Sequence, residues 1–140
     1  MSTNSVIGVM HGDNCKAVYC HSDGYLSYNG QVLLDNYDSA KANHLVSLGD
    51  MSVLGKVIGE KIDFNACMEY DENNIAKQCR FYGRDRGETD VEFTSVSSFA
   101  QLCEHFDSAY YYIMKDGVWY VSIGGAQLLV LSEVLTKEVA

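Results

Sequence analysis

Three arginines crowd into one short segment of a chain that is otherwise acidic. Arg80, Arg84 and Arg86 fall within "CRFYGRDRGE", residues 79–88, beside Tyr82. Arginine offers a planar fork of donors that matches phosphate or carboxylate oxygens, and a tyrosine ring offers a face for stacking. The segment therefore predicts a site for a small anionic ring system. The alternative is that Arg84 and Arg86 only pair with local carboxylates such as Glu88 and Asp90 across the hairpin.

A second segment, "YCHSDGY" at residues 19–25, could complete such a site. His21 and Asp23 can hydrogen-bond to ribose hydroxyls, and Tyr25 adds another ring. A nucleophile and base formed by Cys20 and His21 is disfavoured, because adjacent strand residues point to opposite faces of a sheet. A small nucleotide hydrolase with His21 and Asp23 as acid and base stays open as an alternative.

The metal-binding residue types lack the spacing of a metal site. The chain has five cysteines and four histidines, with no CxxC pair and no two of these residues at a chelating spacing. The acidic stretch "FNACMEYDENN" lacks the alternating oxygen ligands and the glycine of a calcium loop. We therefore predict no metal, no cofactor and no disulfide framework, as suits a reducing compartment.

The net charge of -9 limits the partners. It repels phosphate backbones and anionic membrane surfaces, so extended nucleic acid and membranes are not expected partners. An acidic surface could instead dock on a basic region of another protein. The start of the chain shows no signal-peptide pattern, and no apolar run approaches the roughly eighteen residues of a membrane span. These features predict an intracellular protein.

The strand pattern is one of hairpins. A length of 140 residues fits one domain, 1–140. The runs "NSVIGVM" and "CKAVYCH" flank a Gly-Asp-Asn turn, and "AYYYIMKDGVWYVSI" turns at Asp-Gly, the strongest short hairpin signal. A third hairpin is expected from "IAKQCRFYG" through "RDRGET" to "DVEFTS". In the second strand one face is expected to be core.

Helical spacing follows in four places. "SYNGQVLLDNY" and "DSAKANHLVSLG" predict two helices, the second with Asp38 or Ser39 as N-cap and Gly49 at its end. "SVSSFAQLCEHF" predicts another, capped by Ser97 or Ser98. "AQLLVLSEVLTKEV" favours a helix with a strand as alternative, and "DMSVLGKVIGEKID" is expected to be a turn-rich crossing. The fold class is therefore α+β, with a mostly antiparallel sheet and three or four short helices.

The tyrosine content is high. Ten tyrosines occur in the chain, and alternate rings of a hairpin must face solvent or a partner. This predicts a ligand-stacking or self-association face, and hence a homo-oligomer.

Four blocks in order resemble a widespread family of small bacteriophage proteins, most of them without an assigned function. They are "VYCHSDGYLSYNGQVLLDNY", "LVSLGDMSVLG", "FYGRDRGE" and "YYYIMKDGVWYV". The resemblance covers nearly the whole chain. The sequence departs from the family at Ser22, where members carry Trp, and at Leu26, where Pro is frequent, which puts a stacking contact of that Trp in doubt.

The resemblance implies a phage origin and action in the cytoplasm of an infected host. By analogy with sponges that counter the Thoeris defence, we expect a protein without catalytic activity that sequesters a nucleotide-derived immune signal. The expected ligand residues are His21, Asp23, Tyr25, Arg80, Tyr82, Arg84 and Arg86. The alternative is an acidic inhibitor of a host enzyme such as a polymerase, nuclease or defence effector.

Overall fold

The computed structural model describes residues 4–12, 14–21, 24–58, 79–85, 87–106 and 108–139. This part of the chain contains eight strands and four α-helices, which confirms the α+β class. In chain order the elements are β1 (Ser5–His11), β2 (Asn14–Cys20), a π-helical turn (Leu26–Gly30), α1 (Gln31–Asn36), α2 (Ser39–Ser47), β3 (Met51–Val53), β4 (Arg80–Phe81), β5 (Thr94–Val96), α3 (Phe99–His105), β6 (Tyr110–Lys115), β7 (Val118–Ile123), β8 (Leu129–Val130) and α4 (Leu131–Val139).

The strands form one sheet in the order β4-β3-β2-β1-β6-β7-β8, with β5 also paired to β2. Five of the pairings are antiparallel, as the sequence predicts. The sheet is nevertheless mixed, because β1–β6 and β2–β3 are parallel. The parallel β1–β6 pair joins strands about 100 residues apart in sequence, and no local pattern encodes that contact.

Two of the three predicted hairpins are confirmed. β1 pairs antiparallel with β2, and β6 pairs antiparallel with β7. At the second turn Asp116 and Gly117 have φ of 52° and 79°, the conformation that a two-residue hairpin requires of both central residues.

The third predicted hairpin is wrong. β4 pairs with β3, whereas β5 pairs with β2. The chain after β4 closes a compact turn, in which the Gly87 amide donates to the Gly83 carbonyl, and then passes beside Asp50 to reach the open edge of β2. The segment expected to be only a crossing also contains strand β3, and residues 75–78 of the expected strand lie outside the described residues.

The helix boundaries follow their predicted caps. Asp38 accepts a hydrogen bond from the Lys41 amide at the start of α2, and Ser98 accepts one from the Gln101 amide at the start of α3. Gly49 follows α2 with φ of 92°. The C-terminal segment combines both predicted alternatives, since the two-residue strand β8 leads directly into α4.

Both faces of the sheet are buried, which corrects the expectation of a single core face. Val18 and Cys20 of β2 belong to a large core beneath the π-helical turn and helices α1, α2 and α4. Cys15 and Ala17, on the opposite face, belong to a smaller core beneath α3. The smaller core ends before the end of β2, so the last residues of this second face lie beyond the cover of α3. In the described part of the chain, no helix has the length and apolarity needed to cross a bilayer.

The backbone at Gly24, after β2, packs closely against Asn4 and Ser5 at the start of β1. A Cβ at this position would lie 2.6 Å from the Asn4 carbonyl oxygen and 2.8 Å from the Ser5 Cβ. We expect Gly24→Ala to lower the free energy of unfolding by roughly 1–3 kcal/mol, since backbone must move to make room. Urea denaturation measures this, with exposed Ser27→Ala as control. Equal stability of the two variants would contradict the close packing.

Candidate functional site

β3 and β5 dock one after the other on the same edge of β2. β5 pairs with Cys15–Ala17, whereas β3 pairs with Cys20. Tyr19 lies between these pairings, and its amide has no strand partner there. We call this gap in the ladder the seam.

Asp50 closes the seam. Its Oδ1 accepts a hydrogen bond of 2.9 Å from the Tyr19 amide, in place of a strand carbonyl. Its own amide donates to the Val91 carbonyl at 2.8 Å, and its carbonyl accepts from the Tyr82 amide at 3.2 Å. Asp50 therefore joins β2 to two points of the segment between β4 and β5.

The second face of the sheet carries a polar surface beyond α3. Side chains alternate along a strand. Because Cys20 and Phe81 belong to the large core, Tyr19 and His21 on β2 and Arg80 on β4 project to the opposite face. Tyr82 follows Phe81 at the end of β4. We call these four residues the polar face. Its two halves lie about two strand spacings, or roughly 10 Å, apart.

Arg80 is the member of the polar face with unsatisfied donors. Its side chain is partly buried, and its Nε is buried without a hydrogen-bond partner among the described residues. A buried donor left unpaired is costly, and native proteins rarely tolerate one. Arg80 Nε is thus a donor that an anionic acceptor could satisfy.

Arg84 has an internal role instead. Its Nε donates to Asp85 Oδ1 at 3.0 Å, and a terminal nitrogen donates to the carbonyls of Ile58 and Cys79, both at 3.1 Å. Its guanidinium also lies over the Phe81 ring, 4.7 Å from the centroid. The side chain is only 15% exposed, so its donors hold the turn together. Arg84 does pair with a local carboxylate, as the alternative predicts, but the partner is the buried Asp85 and not Glu88 or Asp90.

His21 and Tyr19 form a pair on the polar face. The Tyr19 hydroxyl and His21 Nδ1 are 3.0 Å apart, and the His21 amide donates to the Met51 carbonyl. The His21 residue as a whole is exposed. Tyr25 is 41% exposed and lies at the same end of the sheet, although its ring neighbour is Tyr28. Asp23 and Arg86 lie outside the described residues.

The Asp50 side chain is partly buried. Burial is the main cause that raises the pKa of its carboxyl, and Glu92 adds to the rise. The Tyr19 amide and the nearby His105 act in the opposite direction. Asp50 therefore retains its proton to a higher pH than an exposed aspartate does.

Two described thiols are poorly suited to nucleophilic chemistry. Burial raises the pKa of Cys15 to about 11, and it also raises the pKa of Cys79. The thiolate is the reactive form, so these cysteines are largely inert at neutral pH. Within the described ranges no cluster of three or more His, Cys, Asp or Glu side chains is placed to hold a metal ion.

Two adjoining grooves lie at the opposite end of the sheet. One of about 580 Å³ is bordered by Tyr37, Trp119 and Ser39, and one of about 310 Å³ by His11, Asn43 and Ser39. The described members of the predicted ligand set do not line either groove.

Two residues of the site were not identified from the sequence. Tyr19 lies two residues before His21 on the same strand, so both side chains point to one face of the sheet. The alternation of side chains along a strand could therefore have indicated Tyr19 as a site residue. Asp50 carries no such signal, because its role depends on the meeting of β2, β3 and β4. Comparison with models of protein families, with curated proteins and with solved structures finds no match to this chain, so its function has to be argued from its own residues.

Proposed function

We propose that this protein binds a small nucleotide-like anion on the polar face and sequesters it without cleaving it. The observation that carries the proposal is the buried Nε of Arg80, which has no hydrogen-bond partner among the described residues, on the same face of the sheet as the exposed His21. A phosphate oxygen is the natural acceptor for that nitrogen, because arginine and phosphate form strong charge-assisted hydrogen bonds.

The residues of the polar face suit the parts of a nucleotide. Arg80 binds the phosphate, the Tyr82 ring stacks on the base, and His21 hydrogen-bonds to the ribose through a ring nitrogen. A spacing of roughly 10 Å between the two halves matches a ligand of mononucleotide size or slightly larger. Arg84 contributes by holding the turn that follows β4. Contacts from Tyr25, Asp23 and Arg86 remain predictions.

The biological role in this proposal comes from the resemblance to small bacteriophage proteins. A phage protein that captures a nucleotide-derived immune signal would counter host antiviral defence in the host cytoplasm. Self-association through exposed tyrosines would make it a homo-oligomer.

Titration calorimetry with AMP, ADP-ribose and cyclic ADP-ribose tests the proposal. We expect at least one of them to bind the folded protein, and the bound nucleotide to be recovered intact after prolonged incubation. Absence of heat with all three, together with a clean apo mass after purification from a bacterium with an active nucleotide-signalling defence, would overturn it. Turnover of the ligand would instead favour the hydrolase alternative.

A second candidate function is favoured by the net charge of -9. An acidic protein of this size can dock on a basic region of a host enzyme, and such binding weakens as salt screens the charges. Salt-sensitive capture of one host protein from lysate, unaffected by added nucleotides, would support this function over the first.

A further inference from the structure

The polar face is built on two strands that do not pair with each other. β2 supplies Tyr19 and His21, whereas Arg80 and Tyr82 come from β4 and the residue after it. β3 lies between them, but its ladders are short: one pair with β2, and two pairs with β4 that include an irregularity. Ladders this short specify register weakly. The two halves therefore need another connection.

Asp50 makes that connection. Its carboxylate accepts the Tyr19 amide at 2.9 Å, and its carbonyl accepts the Tyr82 amide at 3.2 Å. The next residue, Met51, accepts the His21 amide at 3.1 Å. A shift of Asp50 would thus move the histidine side and the arginine side of the polar face relative to each other.

We propose that Asp50 is the positioning residue of the polar face, holding the β2 half and the β4 half at the separation that one ligand must span. This inference rests on the proposed function, since the separation matters only to a ligand that contacts both halves. Asp50 acts through the main chain of Tyr19 and Tyr82 and needs no contact with the ligand.

The charge of Asp50 adds a pH dependence that can be separated from the positioning. The titratable and charged groups around it are His105 of α3, Glu92 of the segment before β5, and on the neighbouring strands Tyr19, His21, Arg80 and Tyr82. Folding raises the pKa of Asp50 above its ordinary 3.8, mainly through burial. The stability from this carboxyl is therefore fully present below that value and is lost as the pH rises through the raised pKa.

Substitution of Asp50 by asparagine separates its positioning role from its pH dependence. Asp50→Asn keeps an oxygen at the Oδ1 position to accept the Tyr19 amide, but it cannot titrate. Asp50→Ala removes the acceptor, and Asp50→Glu keeps the charge but moves the acceptor by one methylene. Asp35→Asn, an exposed carboxylate on α1, is the matched control for the change of charge.

We expect Asp50→Ala and Asp50→Glu to weaken ADP-ribose binding about tenfold, the effect of losing one buried hydrogen bond, and Asp50→Asn to stay within about twofold of wild type. The Tyr19 amide resonance should titrate with Asp50 in the wild type and not in Asp50→Asn. The pH-dependent loss of stability should be smaller in Asp50→Asn and unchanged in Asp35→Asn.

Equal loss of affinity in the Asn and Ala variants, or unchanged affinity in both Ala and Glu variants, would overturn the positioning role. If ADP-ribose does not bind the wild type, the proposed function fails for this ligand, and the ring resonances of His21 and Tyr82 decide the role of Asp50. Chemical-shift changes of these two rings in Asp50→Ala that are absent in Asp50→Asn support the positioning role. Ring resonances that are unchanged in both variants overturn it. Should the Ala variant not fold, Asp50→Glu takes its place in each comparison.

Discussion

Replacing Asp85 by alanine is expected to lower the free energy of unfolding by about 3 kcal/mol, because it breaks a buried ion pair from one side. Asp85 Oδ2 accepts the Phe81 amide at 2.8 Å, and both carboxylate oxygens accept donors of Arg84 at 3.0 and 3.2 Å. The carboxylate side chain is fully buried, so water cannot take its place at these donors. The variant removes the carboxylate that accepts from the Phe81 amide and balances the charge of the largely buried Arg84 guanidinium.

Urea denaturation monitored through Trp119 fluorescence measures this loss. Asp35→Ala removes the same charge from an exposed position and should change stability by less than about 0.5 kcal/mol. Asp85→Asn should fall between the two, because it keeps an acceptor for one donor but loses the ion pair. A loss for Asp85→Ala no larger than for Asp35→Ala would show that the turn is held by other contacts.

Replacing Arg80 by alanine is expected to weaken nucleotide binding about 10- to 100-fold while leaving the fold intact. A charge-assisted hydrogen bond contributes roughly 1.5–3 kcal/mol, which corresponds to that range of affinity. Its Nε has no hydrogen-bond partner among the described residues, so removal of this donor should cost the folded protein little. Loss of affinity without loss of stability is the signature of a ligand-binding arginine.

Calorimetry with the nucleotide that binds most tightly to the wild type measures the affinity, and thermal melting measures the stability. Arg80→Lys retains the positive charge without the planar fork, and it should recover only part of the binding. Lys115→Ala removes an exposed cation at the far end of the sheet and should leave the affinity unchanged. Wild-type affinity in Arg80→Ala would remove this residue from the site.

Local sequence signals predicted the elements whose causes are local. The Asp-Gly turn at Asp116 requires two residues with positive φ, so its hairpin could be identified from neighbouring residues alone. The same holds for the caps of α2 and α3, where Asp38 and Ser98 accept main-chain hydrogen bonds from residues three positions later. These interactions close within one turn of the chain, and sequence spacing encodes them directly.

The pairing of distant strands escaped prediction. The expected hairpin between β4 and β5 had a suitable turn sequence. Instead, β5 pairs with the open edge of β2, and β4 pairs with the edge of β3. The parallel contact of β1 with β6 likewise depends on which edges remain free after the hairpins form. Which strands pair is decided by competition among all the strands for free edges. The sequence of a single segment does not encode the outcome.

For the site, residue types and spacing by themselves indicated a cluster of arginines beside a tyrosine and a histidine in a distant turn. Only the tertiary structure distinguished Arg80 from Arg84. Arg80 Nε has no partner in the described part of the chain, whereas Arg84 donates to Asp85 and two carbonyls. It also placed Asp50 at the seam, the gap on the edge of β2 between its pairings with β5 and β3. The physical reason is that charge and donor geometry are properties of a side chain, whereas burial and partners are properties of its surroundings, which the chain acquires only on folding.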